Sequence, residues 1–412
     1  MKFQRPKGTI DYYPREQAVK NNVFSVFRRV ASLFNFSEVE SPAFEEWSVL
    51  CEKEGDEIKQ QVFTLEQRGN ERFGLRFDLT VPLTRMFVQL QKELQKPVKW
   101  SYATNMWRYE RPQHGRQREF YQMGVEVFGS SSVYADAEVI GVAIETLKEL
   151  GLKRSDVVVL INNRKLMQGL LEDCVSKNQV GDVFHIIDKY DKVNTDEFGK
   201  MLAFLKNPEQ VLKLLEIKDM KTLEKIKKNK LAQEGFNELK AVYDLLESEF
   251  VQISLSTVRG LAYYTGTVFE IFDTKKKFRA VCGGGRYDQM VKVFGGDAVP
   301  ATGMAIGYST LLLLLEEKNL MPQIDVSPEF VIAPVDDSVK NDAWKLCVRL
   351  RRHHRVEMEL AGRSLGKQLA FASGIGAKQV IVIGSRDFSK GLVTIRDMRT
   401  GKESVVKIGD LE

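Results

Sequence analysis

The segment RYERPQHGRQREFYQMGVEVFG, residues 108–129, holds the pattern that decides the fold of this chain. Three arginines, Arg111, Arg116 and Arg118, cluster around a turn that contains proline and glycine. Segments with strand-like alternation flank the turn, so the segment predicts a β-hairpin. Arginine suits phosphate oxygens because its planar donors bind in pairs.

The second predicted strand of this hairpin carries Gln122 and Glu126, four residues apart. Because side chains alternate along a strand, both point to one face. The hairpin thus combines a phosphate-binding turn with a polar floor, which favours a nucleotide-using enzyme. A surface hairpin with solvated charges is the alternative, since charge-rich turns are common.

Length and composition predict a protein of two or three domains with a large core, because 43% of its 412 residues are apolar. Residues 330–412 carry 15 Lys and Arg against 10 Asp and Glu, which accounts for the net charge of +5. A basic terminal domain fits a polyanionic partner such as nucleic acid. An ordinary basic surface is equally compatible with this charge.

Cysteine usage and the N-terminus favour a reducing, cytoplasmic location. The four cysteines have neither a disulfide framework nor metal-ligand spacing, and the four histidines form no HExxH arrangement. The sequence therefore predicts no metal site formed by the protein alone. No targeting segment and no run of about 18 apolar residues occurs, so a membrane span is not expected.

The rest of the chain divides by pattern. Residues 163–249 read as mostly helical, with a lysine-rich block that favours a solvated helix face over RNA contact. Residues 321–329 contain two prolines and look like a linker. From residue 330 onward, strands and helices alternate, which predicts a small α/β domain with a mainly parallel sheet.

Three further groups of residues could carry chemistry. Asp78 and Thr80 share one side of a strand end where a helix begins, so they could receive an ammonium group, although helix capping would use the same residues. Arg259 could offset charge in a transition state, and Tyr263 and Tyr264 could form the wall of a pocket for an aromatic ligand. A buried tyrosine strand beside a surface arginine is the alternative for this second group.

Residues 283–285 are three consecutive glycines that could let the backbone approach a ligand or could only make a turn. The chain has no GxxxxGK[ST] and no GxGxxG, so ATP would require another scaffold.

Taken in order, these segments resemble the histidyl-tRNA synthetases, a family of class II aminoacyl-tRNA synthetases. Residues 108–129 resemble the family's motif 2, and residues 258–270 resemble its histidine-binding signature. Pro42 falls where motif 1 has its dimer-interface proline. The sequence GRSLGKQL, residues 362–369, resembles part of the family's anticodon-binding domain. The resemblance is weakest over residues 163–249.

The resemblance implies an α+β catalytic domain, in which the antiparallel sheet of class II synthetases is flanked by helices, formed by residues 1–162 and 250–320. It implies a helical insertion at 163–249, a linker at 321–329 and a C-terminal α/β anticodon-binding domain at 330–412. The expected ligands are L-histidine, ATP with substrate-associated Mg²⁺, and tRNA(His), and the expected assembly is a homodimer. Histidine and ATP would form histidyl-adenylate, and the histidyl group would then pass to the 3′ end of the tRNA.

The resemblance also assigns roles to residues. Arg108 and Arg259 are the expected catalytic residues. The residues expected to bind histidine are Asp78, Leu79, Thr80, Gln122, Glu126, Tyr263 and Tyr264. The residues expected to bind ATP are Arg108, Glu110, Arg116 and Arg118.

Two positions depart from the family pattern. Thr310 stands where motif 3 has an arginine that meets the γ-phosphate, and Ala262 stands where the histidine signature often has aspartate. Arg116, Arg118, Arg286 or a magnesium ion could compensate for the first departure.

A second function fits the same motifs in part. A non-catalytic regulatory subunit of ATP phosphoribosyltransferase shares the fold of the catalytic domain, and the missing motif 3 arginine favours it. The complete motif 2 turn, Arg259, the paired tyrosines and the C-terminal domain favour the synthetase. An RNA-binding module would leave the predicted pocket of tyrosine and glutamate side chains unexplained.

Overall fold

The structure is a computed structural model that describes residues 3–51, 56–67, 69–113, 115–190, 193–247, 249–259 and 263–411, without the side chains of residues 56–58. The chain forms two compact units, Met1–Pro322 and Gln323–Glu412. The finer division at residues 163, 250 and 330 remains a prediction. Ala262 lies outside the described residues. Within the described ranges, no helix is both long and apolar enough to cross a membrane.

An eight-stranded sheet forms the centre of the first unit, in the order β1-β4-β5-β10-β9-β8-β6-β7. The six central strands pair antiparallel, and β1 and β7 add one short parallel strand at each edge. A separate pair, β2 and β3, is antiparallel. The strands of this unit are β1 (Ser37–Glu38), β2 (Phe44–Glu46), β3 (Phe73–Leu75), β4 (Val98–Trp107), β5 (Glu119–Phe128), β6 (Val157–Asn163), β7 (Val251–Ile253), β8 (Thr267–Asp273), β9 (Cys282–Arg286) and β10 (Ala301–Gly307).

Helices cover this sheet, as expected for the catalytic fold. The helices of the first unit are α1 (Pro14–Leu33), α2 (Trp47–Cys51), α3 (Asp56–Gln61), α4 (Thr80–Leu90), α5 (Val133–Glu149), α6 (Arg164–Glu172), α7 (Val180–Ile187), α8 (Thr195–Met201), α9 (Pro208–Leu215), α10 (Met220–Lys225), α11 (Lys230–Leu245), α12 (Met290–Val293) and α13 (Tyr308–Glu317). Proline begins α1, where its missing N–H costs no hydrogen bond.

Strand β5 separates the core from the opposite face of the sheet. Met123, Val125 and Val127 are buried and join the same apolar core as the inward face of α5. The alternate residues of β5, at positions 122, 124 and 126, must therefore lie on the other face. This alternation places the polar floor that the sequence predicts away from the main core.

The segment between β6 and β7 is helical, as predicted, and contains α6 to α11. Its apolar side chains share one core with the central sheet. Lys228 is partly buried and donates to the carbonyls of Leu223 and Ile226, so this lysine stabilises the local chain. The other lysines of the block, Lys221, Lys225, Lys227 and Lys230, are exposed.

The second unit contains a five-stranded sheet in the order β12-β11-β13-β14-β15. The first three strands are parallel, whereas β14 and β15 extend the sheet antiparallel, so the predicted mainly parallel sheet is only half correct. A tight turn that contains Gly401 closes the last hairpin, and no crossover helix is needed there. The elements are β11 (Phe330–Pro334), α14 (Lys340–Leu350), β12 (Val356–Met358), α15 (Leu365–Gly374), β13 (Gln379–Ile383), α16 (Ser385–Phe388), β14 (Leu392–Asp397) and β15 (Glu403–Lys407).

Candidate active site

The predicted hairpin is formed by β4 and β5, which pair over their full length from Val98 opposite Phe128 to Trp107 opposite Glu119. The connecting loop covers residues 108–118. Within it, Gln113 and Arg116 exchange backbone hydrogen bonds of 3.0 and 2.9 Å. Gly115, between them, has a φ of +74°, a left-handed conformation that glycine adopts without strain.

Three predicted ATP-binding arginines are held by contacts at the ends of this loop. Arg108 donates from Nε to the carbonyl of Phe77 at 3.0 Å, and Arg116 forms an ion pair with Glu110. Arg118 donates from Nε to the carbonyl of Glu110 at 3.2 Å. The contacts of Arg108 and Arg118 orient these two guanidinium groups before any ligand binds, which reduces the entropy lost on binding.

The N-terminal segment closes one side of the loop. The backbone N–H of Arg118 donates to the carbonyl of Gly8 at 2.7 Å. Gly8 has a φ of +88°, and a Cβ atom there would lie 2.9 Å from Cγ of Arg118. A cleft of about 730 Å³ between this segment and the loop is lined by three cationic side chains, those of Arg5, Lys7 and Arg116. The cleft is therefore suited to an anion.

The sheet face next to the loop is nearly bare of side chains. Gly303 and Gly307 of β10 lie opposite Glu126 and Gln122, and Ala305 lies between them. In the next strand, β9, residues 283 and 285 are glycines that pair with Ala305 and Gly303. Small residues in two neighbouring strands therefore leave a shallow space, and polar side chains of β5 and β8 border it.

Two of these glycines are needed because the side chains of Glu126 and Arg259 occupy the space of a Cβ atom. A Cβ atom on Gly303 would lie 1.6 Å from Oε2 of Glu126. A Cβ atom on Gly283 would lie 2.3 Å from Nη1 of Arg259. The glycine cluster is thus part of strand β9, where it makes room for Arg259, and is not only a turn.

Glu126 lies at the centre of this floor and is only 1% exposed. Its Oε1 accepts a hydrogen bond of 2.9 Å from the hydroxyl of Thr80, and its Oε2 accepts one from the hydroxyl of Tyr287. Burial raises the pKa of Glu126 to about 8, and the nearby Asp78 carboxylate also raises it. The side chain is therefore largely protonated at neutral pH in the ligand-free protein.

The residues at the start of α4 have mixed roles. Strand β3 ends at Leu75 and α4 begins at Thr80, so the strand does not continue up to the helix. The N-cap residue of α4 is Leu79, and the Oδ1 atom of the preceding Asp78 accepts a hydrogen bond of 3.3 Å from the N–H of Val81 in the first helical turn. Burial raises the pKa of Asp78, whereas neighbouring Arg108 lowers it. Leu79 is fully buried in an apolar cluster, which leaves only its main chain for a ligand.

Arg259 lies across the glycine floor in the left-handed conformation, with a φ of +56°. Its Nη1 donates to Oε1 of Glu270 at 2.7 Å, and its guanidinium carbon lies 5.9 Å from the ring centre of Tyr264. Its buried Nε has no hydrogen-bond partner among the described residues. Such a donor is costly to bury unless a ligand accepts from it.

The paired tyrosines form one wall of the site. The ring centres of Tyr263 and Tyr264 are 4.8 Å apart, and Tyr263 also contacts Tyr287 at 5.9 Å. Tyr264 is buried, which raises its pKa, while Arg259 nearby lowers it.

Gln122 is half-buried on the same floor and makes no side-chain hydrogen bond within the described part of the chain.

Tyr287 and Glu270 are contacts of the site that the sequence analysis did not select. Glu270 is the last residue of the segment that resembles the histidine-binding signature, and Tyr287 directly follows strand β9. The signal that identifies them is strand pairing, since β8, β9, β10 and β5 are adjacent in the sheet although they are distant in sequence.

Arg286 cannot compensate for the arginine missing at position 310. It lies on the opposite face of β9, where it is 6% exposed and forms a 2.8 Å ion pair with Asp136 of α5. It also donates to the carbonyls of Ser130 and Ser132. Breaking one side of such a buried pair typically costs about 3–5 kcal/mol, so Arg286 is a structural residue.

Two protein-family models match the chain. The model described as histidyl-tRNA synthetase matches residues 8–311, and the model described as anticodon binding domain matches residues 329–412.

Curated relatives match over nearly the full chain. The histidine–tRNA ligase of Pyrococcus horikoshii is 38% identical over an alignment of 424 residues, which covers 99% of this chain and 97% of the relative. The chloroplastic/mitochondrial histidine–tRNA ligase of Arabidopsis thaliana is 36% identical over 417 residues, which cover 99% of this chain and 85% of the relative.

Solved structures show the same fold. A histidyl-tRNA synthetase from Nostoc matches with a TM-score of 0.81 at 24% identity and covers 100% of this chain and 99% of its own. A structure titled ATP phosphoribosyltransferase regulatory subunit/histidyl-tRNA synthetase, from Bacillus halodurans, matches with a TM-score of 0.78 at 24% identity and covers 92% of this chain and 98% of its own. At this identity the two structures establish the fold alone.

The raised pKa of Glu126 predicts a pH-dependent stability. The folded protein keeps this proton up to about pH 8, whereas the unfolded chain releases it near pH 4.5, so stability should fall as pH rises through this window. Glu126→Gln has no such proton. Its free energy of unfolding should therefore decrease, over the same pH range, by at least about 1 kcal/mol less than that of the wild-type protein. Denaturant unfolding of both proteins at pH 5 and pH 8 measures the difference. Parallel pH profiles would show that Glu126 is ionised in the folded protein.

Proposed function

The chain belongs to the histidyl-tRNA synthetase family, and on this premise we propose that it activates L-histidine with ATP and transfers it to the 3′ end of tRNA(His). The observation that carries this proposal is the glycine floor, on which a buried glutamate and an arginine with a free donor lie near one another. The floor leaves space for a small amino acid, and the loop above it supplies cations for a nucleotide.

Glu126 and Tyr264 are suited to the imidazole ring. A neutral imidazole has one N–H donor and one acceptor nitrogen. A protonated Glu126 offers both a donor and an acceptor, and a tyrosine hydroxyl can serve either function at the other nitrogen. A site that pairs buried polar groups with both nitrogens rejects analogues that lack them by a large factor.

The polar groups at the edge of the floor are suited to the other end of histidine. The carboxylate of Asp78 can attract the ammonium group, and Thr80 and Gln122 can accept its hydrogen bonds. The side chain of Gln122 has no competing protein bond in the described residues, which supports its use for a ligand.

The loop between β4 and β5 is suited to ATP. Arg116 and Glu110 form an ion pair with each other, so binding would redirect Glu110 towards the adenine and Arg116 towards the outer phosphates. Arg118 lies over the ring of Tyr109, at 4.3 Å from its centre, and adds positive charge to the same loop.

Arg108 and Arg259 supply the electrostatic part of the reaction. A carboxylate oxygen of histidine attacks the α-phosphorus, the bond to the bridging oxygen breaks, and pyrophosphate leaves with the electron pair. The attacking carboxylate is already ionised, so no protein base is required. Two arginines held near the α-phosphate offset the growing negative charge without reorganisation. A hydroxyl of the terminal tRNA ribose then attacks the carbonyl carbon of the adenylate, the bond from this carbon to the phosphate oxygen breaks, AMP leaves with the electron pair, and the hydroxyl proton passes to solvent.

Magnesium would enter this site with the triphosphate. Mg²⁺ keeps much of its water shell and is usually bound through one or two carboxylates together with substrate phosphates. The described residues include no group of three or more His, Cys, Asp or Glu side chains placed to hold a metal ion. The ion would supply charge neutralisation on the phosphates.

The second unit and the assembly complete the proposal. The match of residues 329–412 to an anticodon-binding domain, and the positive charge of this region, support binding of the tRNA anticodon there. Pro42 and the family resemblance support a homodimer. The four cysteines form no disulfide in the structure, which fits action in the cytoplasm.

The main test is histidine-dependent exchange between ATP and labelled pyrophosphate. Purified protein should catalyse exchange only when L-histidine is present, because the adenylate forms reversibly from histidine and ATP. Other amino acids serve as controls. Histidine binding without any exchange would support the regulatory-subunit alternative, which the substitution at position 310 favours.

Arg259→Ala should lower the kcat of exchange by about 100-fold or more, because an electrostatic contact made in the transition state is lost. The KM for histidine should change by no more than about threefold. Gly283→Ala should act in the same direction, since its new methyl group would lie in the space of the Arg259 guanidinium and would displace it from Glu270. Gly181→Ala is the matched control, because a Cβ atom there meets nothing within 4 Å. An equal collapse of histidine affinity and kcat would contradict the transition-state role.

Removal of residues 323–412 should spare pyrophosphate exchange and reduce tRNA charging by at least about tenfold, because the basic anticodon-binding surface is lost. The truncated chain keeps the whole apolar core of the first unit. Exchange and charging are measured side by side on the same preparations. Unchanged charging would contradict an anticodon role for the second unit.

A further inference from the structure

The turn that binds the ATP tail lies against the first turn of α13, where position 310 is occupied by threonine. Thr310 is 8% exposed, and a Cβ atom added to Gly115 would lie 3.9 Å from its hydroxyl oxygen. The neighbouring Leu313 is 3.4 Å from the same point. Helix α13 therefore approaches the turn closely and brings no positive charge to it through Thr310.

A different arginine reaches this turn from the loop between β8 and β9. Arg279 donates from Nη2 to the side-chain oxygen of Gln113 at 3.4 Å. Burial and the nearby Arg116 lower the pKa of Arg279, whereas Glu110 raises it. Because the backbone of Gln113 exchanges hydrogen bonds with that of Arg116, Arg279 reaches the turn beside the Arg116–Glu110 ion pair.

The loop that carries Arg279 is fixed at its base. The carboxylate of Asp273 accepts hydrogen bonds of 2.9 Å from the backbone N–H groups of Lys277 and Phe278. Lys277 also forms a 2.6 Å ion pair with Glu317 of α13. Arg279 is therefore presented by an ordered loop that is attached to the same helix as Thr310.

The charges at this turn are not balanced. Arg116 and Arg279 repel each other, and the carboxylate of Glu110 attracts both guanidinium groups. Two guanidinium groups around one carboxylate leave a net positive charge that an added anion would neutralise. The free donors of the two forks match the oxygens of a phosphate.

We propose that Arg279 binds the β- and γ-phosphates of ATP from the β8–β9 loop, at the turn where helix α13 carries Thr310. The inference deepens the proposed function, on which it rests for the identity of the nucleotide. The histidine and the α-phosphate remain on the glycine floor, whereas Arg279 acts on the pyrophosphate part of the substrate.

The test compares the affinity of ATP with that of AMP, measured by calorimetry on the full chain. Arg279→Ala should weaken ATP binding by about 10- to 100-fold, the loss of one charge-assisted contact. Binding of AMP and of the non-hydrolysable histidyl sulfamoyl adenosine, which both lack the outer phosphates, should be unchanged. Arg279→Lys should recover part of the ATP affinity, because it keeps the charge and loses the planar fork.

Lys275→Ala is the matched control, since it removes one exposed charge from the same loop. It should change the ratio of ATP to AMP affinity by less than about twofold, as screened surface charges do. An unchanged ratio in Arg279→Ala, or an equal loss in Lys275→Ala, would overturn the inference. A failure of histidine-dependent exchange in the wild-type protein would contradict the proposed synthetase activity. The effect of Arg279→Ala on ATP binding could still be measured in that case, because the binding assay requires no turnover.

Discussion

The site depends on one steric constraint, which is that two adjacent strands at the centre of the sheet carry almost no side-chain atoms on one face. Gly303 has no Cβ atom, so the carboxyl group of Glu126 can lie across the neighbouring strand. Gly283 has none either, so Arg259 can lie flat on the sheet. Strand pairing still holds the backbone in place, because the ladder hydrogen bonds do not involve side chains. A cleft is thus formed in the middle of a continuous sheet without breaking it.

The same constraint concentrates polar groups where burial is costly. Glu126 has almost no exposure, and its two hydroxyl partners do not fully offset its desolvation, so its pKa rises to about 8. Arg259 keeps an unpartnered Nε donor within the described residues and a left-handed backbone. Both features reduce the stability of the free protein, and both are relieved by a ligand that supplies the missing partners. The free protein is therefore less stable than it could be, and its polar groups are already positioned for a ligand.

The two sides of the site are attached to different parts of the first unit. The glycine floor belongs to the sheet, whereas the side that we propose for the triphosphate is formed where the N-terminal segment, the β4–β5 loop and the β8–β9 loop meet. Such loops tolerate change more readily than the central strands do. A positively charged side chain on the β8–β9 loop, such as Arg279, can therefore take the place of an arginine on α13, where this chain has Thr310. Such an exchange leaves the glycine floor unchanged.

Local sequence patterns determined the elements of this protein that depend on near neighbours. The β4–β5 hairpin follows from alternation around the glycine-containing turn, and the same alternation places Gln122 and Glu126 on one face. The helical segment between β6 and β7 and the α/β character of the last 83 residues follow from periodicity in the same way. The ordered set of motifs also determined the family, since their identity and spacing together are specific.

Only the tertiary structure decided which distant residues meet. Pairing of β10 with both β5 and β9 brings Gly303 and Tyr287 to Glu126, although they are more than 150 positions apart in sequence. Strand pairing also places Arg286 on the far face against Asp136, although its motif placed it among the candidates for ATP. No local pattern encodes these outcomes, because side-chain periodicity defines the faces of a strand but not the order of strands in a sheet.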